Sequence, residues 1–131
     1  SQVGILEAMI VVDIGSGLYK LVNPKVIKKS GRQALEEGCL SVPGVCIKVR
    51  RARHAVIRAQ DEFGKEVVIK AEDLLACVFQ HEIDHLAGKV ILDYASVFDK
   101  IKLKNTLKSQ KKKLQNENLP ESKTESCQLQ L

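Results

Sequence analysis

The residues His81-Glu82-Ile83-Asp84-His85 decide how this chain is interpreted, because they place two histidines and an acid within one predicted helix. From Ala71 to Ala87 the sequence has neither glycine nor proline, and Gly88 is well placed to end a helix. Apolar residues recur through this stretch at helical spacing, at Leu74, Leu75, Val78, Phe79 and Leu86. The pattern therefore predicts one amphipathic helix that carries a His-Glu-x-x-His sequence.

The two histidines of this helix are four residues apart, so they project from the same face. His81 and His85 can therefore present two imidazole nitrogens to one metal ion, and Glu82 can reach a water beside that ion. The chain has three histidines, and two of them stand here. The alternative interpretation is a helix that carries two histidines and an acid by chance.

Such a site needs a third protein ligand, and the sequence offers candidates on both sides of the helix. One class of zinc proteases has a further histidine at the position of Ile91, but no histidine follows His85 here. The downstream carboxylates are Asp93, Asp99 and Glu117. Upstream, the thiolate of Cys39 would complete a Cys-His-His site with one open position. The alternative role for Cys39 is that of a small buried hydrophobic residue.

Upstream of the helix the sequence predicts strands. The predicted strands are 8–13, 18–22, 26–27, 45–50, 54–60 and 65–70. Asn23-Pro24 interrupts the second and third of them, and the turn 61–64 joins the last two into a hairpin. Residues 30–38 are polar and acidic and predict a loop. This order predicts an α+β fold, in which mainly antiparallel strands surround one central helix.

The C-terminal quarter differs from the rest in charge. Residues 1–99 hold 13 Lys and Arg against 13 Asp and Glu, whereas residues 100–131 hold 8 Lys against 3 Glu. A second helix is predicted from about 96 to 116, and the polar residues beyond Pro120 predict disorder. We therefore divide the chain into a domain at 1–99 and a basic helix with a disordered tail at 100–131. The tail predicts weak attraction to an anionic partner, either RNA or a membrane surface, or simply a solvated helix face with a loose end.

Composition excludes several classes of protein. The chain has 131 residues and 44% apolar content, which suits one domain with a real core. No apolar run approaches the ~18 residues that a membrane span needs, and the N-terminus does not resemble a secretory signal. The absence of Trp argues against an aromatic stacking platform for single-stranded nucleic acid. The four irregularly spaced cysteines predict free thiols in a reducing, cytoplasmic setting.

Two segments of the chain resemble the second and third signature motifs of peptide deformylase. They are Glu37-Gly38-Cys39-Leu40-Ser41 and the nine residues from Gln80 to Gly88, in the family's order and at a similar spacing. The likeness extends over most of residues 1–99. It implies a deformylase fold of the bacterial cytoplasmic type. It also implies a metal-dependent hydrolase that removes the formyl group from the N-terminal formylmethionine of nascent polypeptides.

The resemblance also implies a role for each residue of the reaction centre. The implied metal ligands are Cys39, His81 and His85, which would hold one divalent ion. The resemblance implies iron(II) as the native ion, and a thiolate with two imidazoles also suits zinc, nickel or cobalt. Glu82 would take a proton from water and pass it to the departing amine. The implied oxyanion donors are the Leu40 backbone N–H and the Gln2 side-chain amide.

The methionine side chain of the substrate needs a pocket, and we expect it one helical turn before His81. Leu74, Cys77 and Val78 stand there on the ligand-bearing face, with ordinary core packing as the alternative. Gly38 would let a peptide in extended form approach the backbone closely.

The first signature motif of the family is present only from its closing glutamine, as Gln2-Val3-Gly4. We therefore expect a chain that is truncated relative to the family. Two alternatives to an active deformylase stay open: another His-Glu-x-x-His metallopeptidase, and an inactive truncated relative that serves as a binding module. The predicted C-terminal helix resembles that of the bacterial single-domain type, which suggests a monomer.

Overall fold

The computed structural model describes residues 8–15, 17–97, 99–100 and 129–130. Within these ranges the chain forms seven strands, one 14-residue α-helix and one 3-10 helix, and residues 97 and 99–100 are helical as well. The elements are β1 (Met9–Asp13), β2 (Leu18–Ser30), β3 (Gln33–Cys39), β4 (Val42–Arg51), β5 (His54–Gln60), β6 (Glu66–Glu72), α1 (Asp73–Leu86), the 3-10 helix (Ile91–Tyr94) and β7 (Leu129–Gln130). The predicted α+β architecture with mainly antiparallel strands is confirmed.

The larger sheet has four strands in the order β1-β2-β5-β6, and every neighbouring pair is antiparallel. Helix α1 packs its apolar face against this sheet, where Phe79 is fully buried and meets the Tyr19 ring edge-on at 5.3 Å. Alternating residues of β1 supply the same core through Ile10 and Val12. The helix thus has one face fixed against the sheet, which leaves its histidine-bearing face for the second sheet.

The smaller sheet has the order β4-β3-β7, with β3 antiparallel to β4 and parallel to β7. Its core is a separate cluster in which Val49 of β4 packs with Ile91 of the 3-10 helix and with Cys39 at the end of β3. The site described below lies where this sheet meets α1.

The predicted helix and hairpin are confirmed. Helix α1 ends as expected, since Gly88 has a φ of 72° and its N–H donates to the His85 carbonyl at 3.0 Å. The turn between β5 and β6 is held by Asp61, whose side chain accepts the N–H groups of Phe63 and Lys65, each at 2.9 Å. These are the chemical signals from which the sequence predicted the two elements.

Two predictions about strands need correction. The interruption at Asn23-Pro24 is a β-bulge within one continuous strand, where Asn23 has a φ of 51° and the pairing with β5 shifts register. The predicted loop at 30–38 is wrong over most of its length, because β3 begins at Gln33. The polar sequence predicted a loop instead of a strand because the inward face of β3 carries the buried carboxylate of Glu37 where an apolar side chain is usual.

One cysteine prediction is also wrong. Cys46 is disulfide-bonded, although Cys39 and Cys77 are free as expected. Cys46 points to the exposed face of β4, and irregular sequence spacing carries no signal of such a pairing. Cys127 lies outside the described residues. The part of the predicted second helix from residue 101 to 116 lies outside them as well.

The sequence predicts disorder beyond Pro120, but Leu129–Gln130 form the short strand β7. Within the described part of the chain, no helix is both long enough and apolar enough to cross a membrane.

Candidate metal centre

Three potential ligand atoms meet between α1 and β3. The Cys39 sulfur lies 3.2 Å from Nε2 of His85, and Nε2 of His85 lies 3.0 Å from Nε2 of His81. All three side chains are buried, and their ligand atoms lie within 4.8 Å of one another. The structure therefore gathers the two helical histidines and the upstream cysteine at one point.

The spacing of these atoms fits one metal ion. Tetrahedral bonds of about 2.0 Å to nitrogen and 2.3 Å to sulfur place neighbouring ligand atoms roughly 3.3–3.6 Å apart. The observed separations of 3.0 and 3.2 Å come within a few tenths of an ångström of that value. Burial and, to a smaller extent, the neighbouring His81 also lower the pKa of His85, which favours the neutral imidazole that a metal requires.

A break in strand pairing positions Cys39. Gly38 pairs with Cys46, but the next residue, Cys39, pairs with Val42, so the register shifts between them. Such bulges re-aim a side chain, and here the thiol turns toward α1. Cys39 is only 2% exposed, which leaves its sulfur facing the two histidines.

The orientation of His81 is set by Glu37, a residue to which the sequence analysis gave no role. Oε2 of Glu37 lies 3.0 Å from Nδ1 of His81, and the carboxylate is fully buried. Burial alone would raise the pKa of Glu37, but hydrogen bonds from His81 and Arg51 outweigh it and lower that pKa to about 2. Because an ionised carboxylate only accepts, Nδ1 of His81 carries a hydrogen, which leaves Nε2 as the nitrogen that can bind a metal.

Arg51 completes the support of this pair. Its guanidinium donates to Glu37 at 2.6 and 2.9 Å and to Asp84 at 2.8 Å. The Tyr94 hydroxyl donates to the same Asp84 oxygen at 2.7 Å, and the Tyr94 ring lies 5.1 Å from the guanidinium carbon. Among the described residues, no buried side-chain nitrogen or oxygen lacks a hydrogen-bond partner. The network therefore fixes β3, β4, α1 and the 3-10 helix relative to one another.

Glu82 follows His81 on the helix and is half-buried. Burial raises the pKa of its carboxyl group, and the neighbouring His81 opposes that effect in smaller measure. A carboxylate with a raised pKa beside a metal centre is suited to accept a proton near neutral pH.

The other residues that the sequence predicted for the site differ in their exposure to solvent. Leu74 and Leu40 are 39% and 71% exposed, whereas Val78 is buried in the core of the larger sheet. Cys77 is fully buried and donates its thiol to Glu37 at 3.1 Å, and burial next to that carboxylate raises its pKa to about 12. Cys77 thus helps to hold Glu37, and a pocket role for it and for Val78 stays a prediction. Gln2 lies outside the described residues.

The downstream carboxylates that were candidates for the third ligand accept hydrogen bonds within local turns instead. Asp93 accepts the N–H of Val90 at 2.8 Å, and Asp99 accepts both the N–H and the hydroxyl of Ser96. The metal-ligand group found among the described residues includes neither of them. Glu117 lies outside those residues.

The Arg51 network leads to a prediction about stability. Arg51→Met leaves the buried Glu37 and the partly buried Asp84 without their cation, and we expect a loss of about 3–5 kcal/mol in the free energy of unfolding. Arg53→Met is the matched control, because Arg53 pairs with Asp73 at 2.7 Å on the exposed surface. We expect that change to cost no more than about 1 kcal/mol. Urea denaturation of both variants measures the difference, and equal losses would contradict this description.

Comparison with known proteins identifies relatives. The sequence profile of the polypeptide deformylase family matches residues 1–101. The peptide deformylase of Syntrophomonas wolfei is 50% identical over 94 residues, and that of Pseudoalteromonas translucida is 40% identical over 115 residues. These matches cover 72% and 86% of this chain. They span 62% and 69% of the relatives' own lengths.

Solved structures agree with the sequence relatives. A peptide deformylase from Legionella pneumophila matches with a TM-score of 0.77 and 37% identity, over 90% of this chain and 71% of that one. One from Synechococcus elongatus, solved in complex with actinonin, matches with a TM-score of 0.71 and 36% identity, over 75% of this chain and 55% of that one.

Proposed function

This chain belongs to the polypeptide deformylase family, and from that premise we propose that it hydrolyses the N-formyl group of N-terminal formylmethionine on nascent polypeptides. The observation that carries the proposal is the convergence of Cys39, His81 and His85 beside Glu82, buried at the meeting of α1 and β3. The reaction adds water to the formyl carbon and breaks the carbon–nitrogen bond, which releases formate and a free amine.

Cys39, His81 and His85 would hold the metal. When bound, a divalent cation polarises a carbonyl group and lowers the pKa of water toward neutrality. The mixed sulfur and nitrogen donors favour a transition metal over magnesium or calcium. Within that group we propose iron(II) as the native ion, from the family resemblance, with zinc, nickel or cobalt as substitutes.

Glu82 is the proton carrier in this proposal. Its half-buried carboxylate takes a proton from the attacking water and then gives it to the departing amine nitrogen. The raised pKa of Glu82 supports both halves of this role, because the group must accept and then release the same proton.

The developing oxyanion needs hydrogen-bond donors of fixed position. We assign the Leu40 backbone N–H and the Gln2 side-chain amide to it. Leu40 directly follows Cys39 in the turn that leaves β3, so its N–H is covalently tied to a metal ligand.

The edge of β3 is suited to bind the peptide in extended form. Glu37 and Gly38 pair with Leu129 and Gln130 of β7 along this edge. This edge therefore accepts an extended segment, and a substrate that binds beside Gly38 would take the place of β7 there. Leu74, Cys77 and Val78 remain our proposed lining of the methionine pocket, with Leu74 as the exposed member.

Metal binding should stabilise the fold, because the three ligands come from elements that separate on unfolding. At a free Zn²⁺ concentration of 100 times the dissociation constant, we expect a gain of about 2.7 kcal/mol in the free energy of unfolding. Thermal unfolding of the metal-free chain with and without Zn²⁺ measures this gain. Mg²⁺ is the control, since it prefers oxygen ligands and should leave the midpoint unchanged. Equal shifts with both ions, or with neither, would contradict the site.

The substrate assignment is tested against the main alternative, an endopeptidase built on the same helix motif. The metal-loaded chain is incubated with a formyl-Met peptide, its acetyl analogue, and a longer peptide blocked at both ends. The proposal expects hydrolysis of the formyl group alone, whereas cleavage of internal peptide bonds would support the endopeptidase.

We propose a weak contact with the ribosome through the basic residues 100–131, in a monomer that works in the cytoplasm. The charge excess of that segment supports the contact. Deleting 100–131 should weaken salt-sensitive cosedimentation with ribosomes. Unchanged cosedimentation would overturn the proposed contact without touching the hydrolase proposal.

A further inference from the structure

A cavity is lined in part by Arg51, the residue that holds Glu37. Its volume is about 390 Å³, which falls within the range of small-molecule sites. The ends of β2 and β4, the turn after β2, α1 and the 3-10 helix all contribute to it. The lining residues are Lys29, Gly31, Arg32, Arg50, Arg51, Ala52, Gln80 and Tyr94.

The cavity has a strong charge bias. Four of its eight lining residues carry a cationic side chain, and none of the eight is acidic. Arg51 is neutralised by Glu37 and Asp84. Lys29, Arg32 and Arg50 are exposed, and within the described part of the chain none of them forms an ion pair. The cavity therefore has three positive charges in excess.

The strand register explains why these charges stay unpaired. Ala55 stands across the sheet from Lys29, and Ala34 stands across from Arg50. By contrast, Lys48 of the same β4 strand stands across from Glu36. Elsewhere on the surface, Lys20 pairs with Glu62. Lys48 and Lys20 thus each have an acidic neighbour, whereas Lys29 and Arg50 each face an alanine.

We propose that this cavity binds a phosphate group, as a site separate from the metal centre. Collecting like charges in a concavity is unfavourable unless an anion offsets their repulsion. Two guanidinium groups match the oxygen pairs of a phosphate, and the Lys29 ammonium adds a third positive charge. The other polar groups of the wall are already committed, since Gln80 donates to the Ala52 carbonyl at 3.0 Å and Tyr94 donates to Asp84. Arg32 and Arg50 are therefore the specific contacts.

The test uses the full chain without added metal, so that the probe cannot bind an ion at the metal centre. Pyrophosphate binding is measured by isothermal titration calorimetry at low ionic strength. We expect Arg32→Gln and Arg50→Gln each to weaken binding about tenfold or more, because each removes a charge-assisted pair of hydrogen bonds. Lys29→Gln should have a smaller effect in the same direction.

Lys48→Gln and Lys70→Gln are the charge-matched controls, since each removes one exposed cation outside the cavity. They should change the dissociation constant by less than about twofold. Equal effects of control and cavity variants would mean binding to diffuse surface charge, including that of residues 100–131, and would overturn the proposal. No measurable binding by the unaltered chain would overturn it as well.

The same titration distinguishes the source of the phosphate. A nucleoside monophosphate and a short single-stranded RNA are compared, each with the unaltered chain and with Arg50→Gln. If Arg50→Gln binds either ligand more weakly than the unaltered chain does, the result supports phosphate binding in the cavity and identifies that ligand as the source of the phosphate. Affinity for both ligands that does not depend on Arg50 would contradict it.

Discussion

We expect Cys39→Ala to abolish stoichiometric metal binding and, with it, the proposed formate release. The substitution removes one of the three ligand atoms and leaves two imidazoles that cannot close the site. Changing a residue that only supports a ligand costs metal affinity about 10–100-fold, so loss of a ligand itself should cost more than about 100-fold. The measurement is the amount of Co²⁺ retained after gel filtration, together with the sulfur-to-cobalt charge-transfer band in the near ultraviolet.

Cys77→Ser is the control for this result. Cys77 is also a free and fully buried cysteine, and serine keeps a donor to Glu37. The control should retain one cobalt ion per chain and the charge-transfer band. If Cys39→Ala also retains one ion and the unaltered level of activity, another residue is the third ligand and our assignment is wrong.

Glu82→Gln separates metal binding from catalysis. Glutamine has the same shape as glutamate but cannot accept a proton from water, so we expect the rate of formate release to fall by about 10²–10⁴. Metal content should be unchanged, because Glu82 is not among the three ligands. The variant is therefore compared with the unaltered chain at equal metal occupancy.

Glu66→Gln provides the matched control, since Glu66 is an exposed carboxylate on β6. It should leave the rate unchanged within experimental error. A Glu82→Gln variant that releases formate at the control's rate would exclude Glu82 as the proton carrier.

The fold was predictable where one local pattern decided the structure. Helix α1 followed from its apolar spacing and from Gly88, and the β5–β6 hairpin followed from Asp61 and Gly64. Strand β3 was missed because its buried face carries Glu37, whose burial depends on a cation 14 residues away. The continuity of β2 was missed because Asn23 adopts a left-handed conformation inside a bulge.

The sequence predicted the metal ligands of the candidate site, but it did not predict the residues that hold those ligands in position. His81, His85 and Cys39 follow from residue type, helical spacing and the family resemblance, and the structure brings the three together. The ion pair of Glu37 and Arg51 was not predicted, although Arg51 continues the buried side of β4 that Val45, Ile47 and Val49 form. The position of the charged Arg51 at the end of this apolar strand face was the available signal that it has a buried partner.

The central claim is that Cys39, His81 and His85 form one metal site that hydrolyses a formyl amide with Glu82 as the proton carrier. The most direct test is formate release from a formyl-Met peptide by the full chain, prepared without oxygen and measured before and after loading with iron(II) or nickel. Our account predicts turnover that appears on loading, disappears on chelation, and is lost in both Cys39→Ala and Glu82→Gln. Formate release that persists after chelation, or a chain that holds one metal ion and releases none, would contradict it.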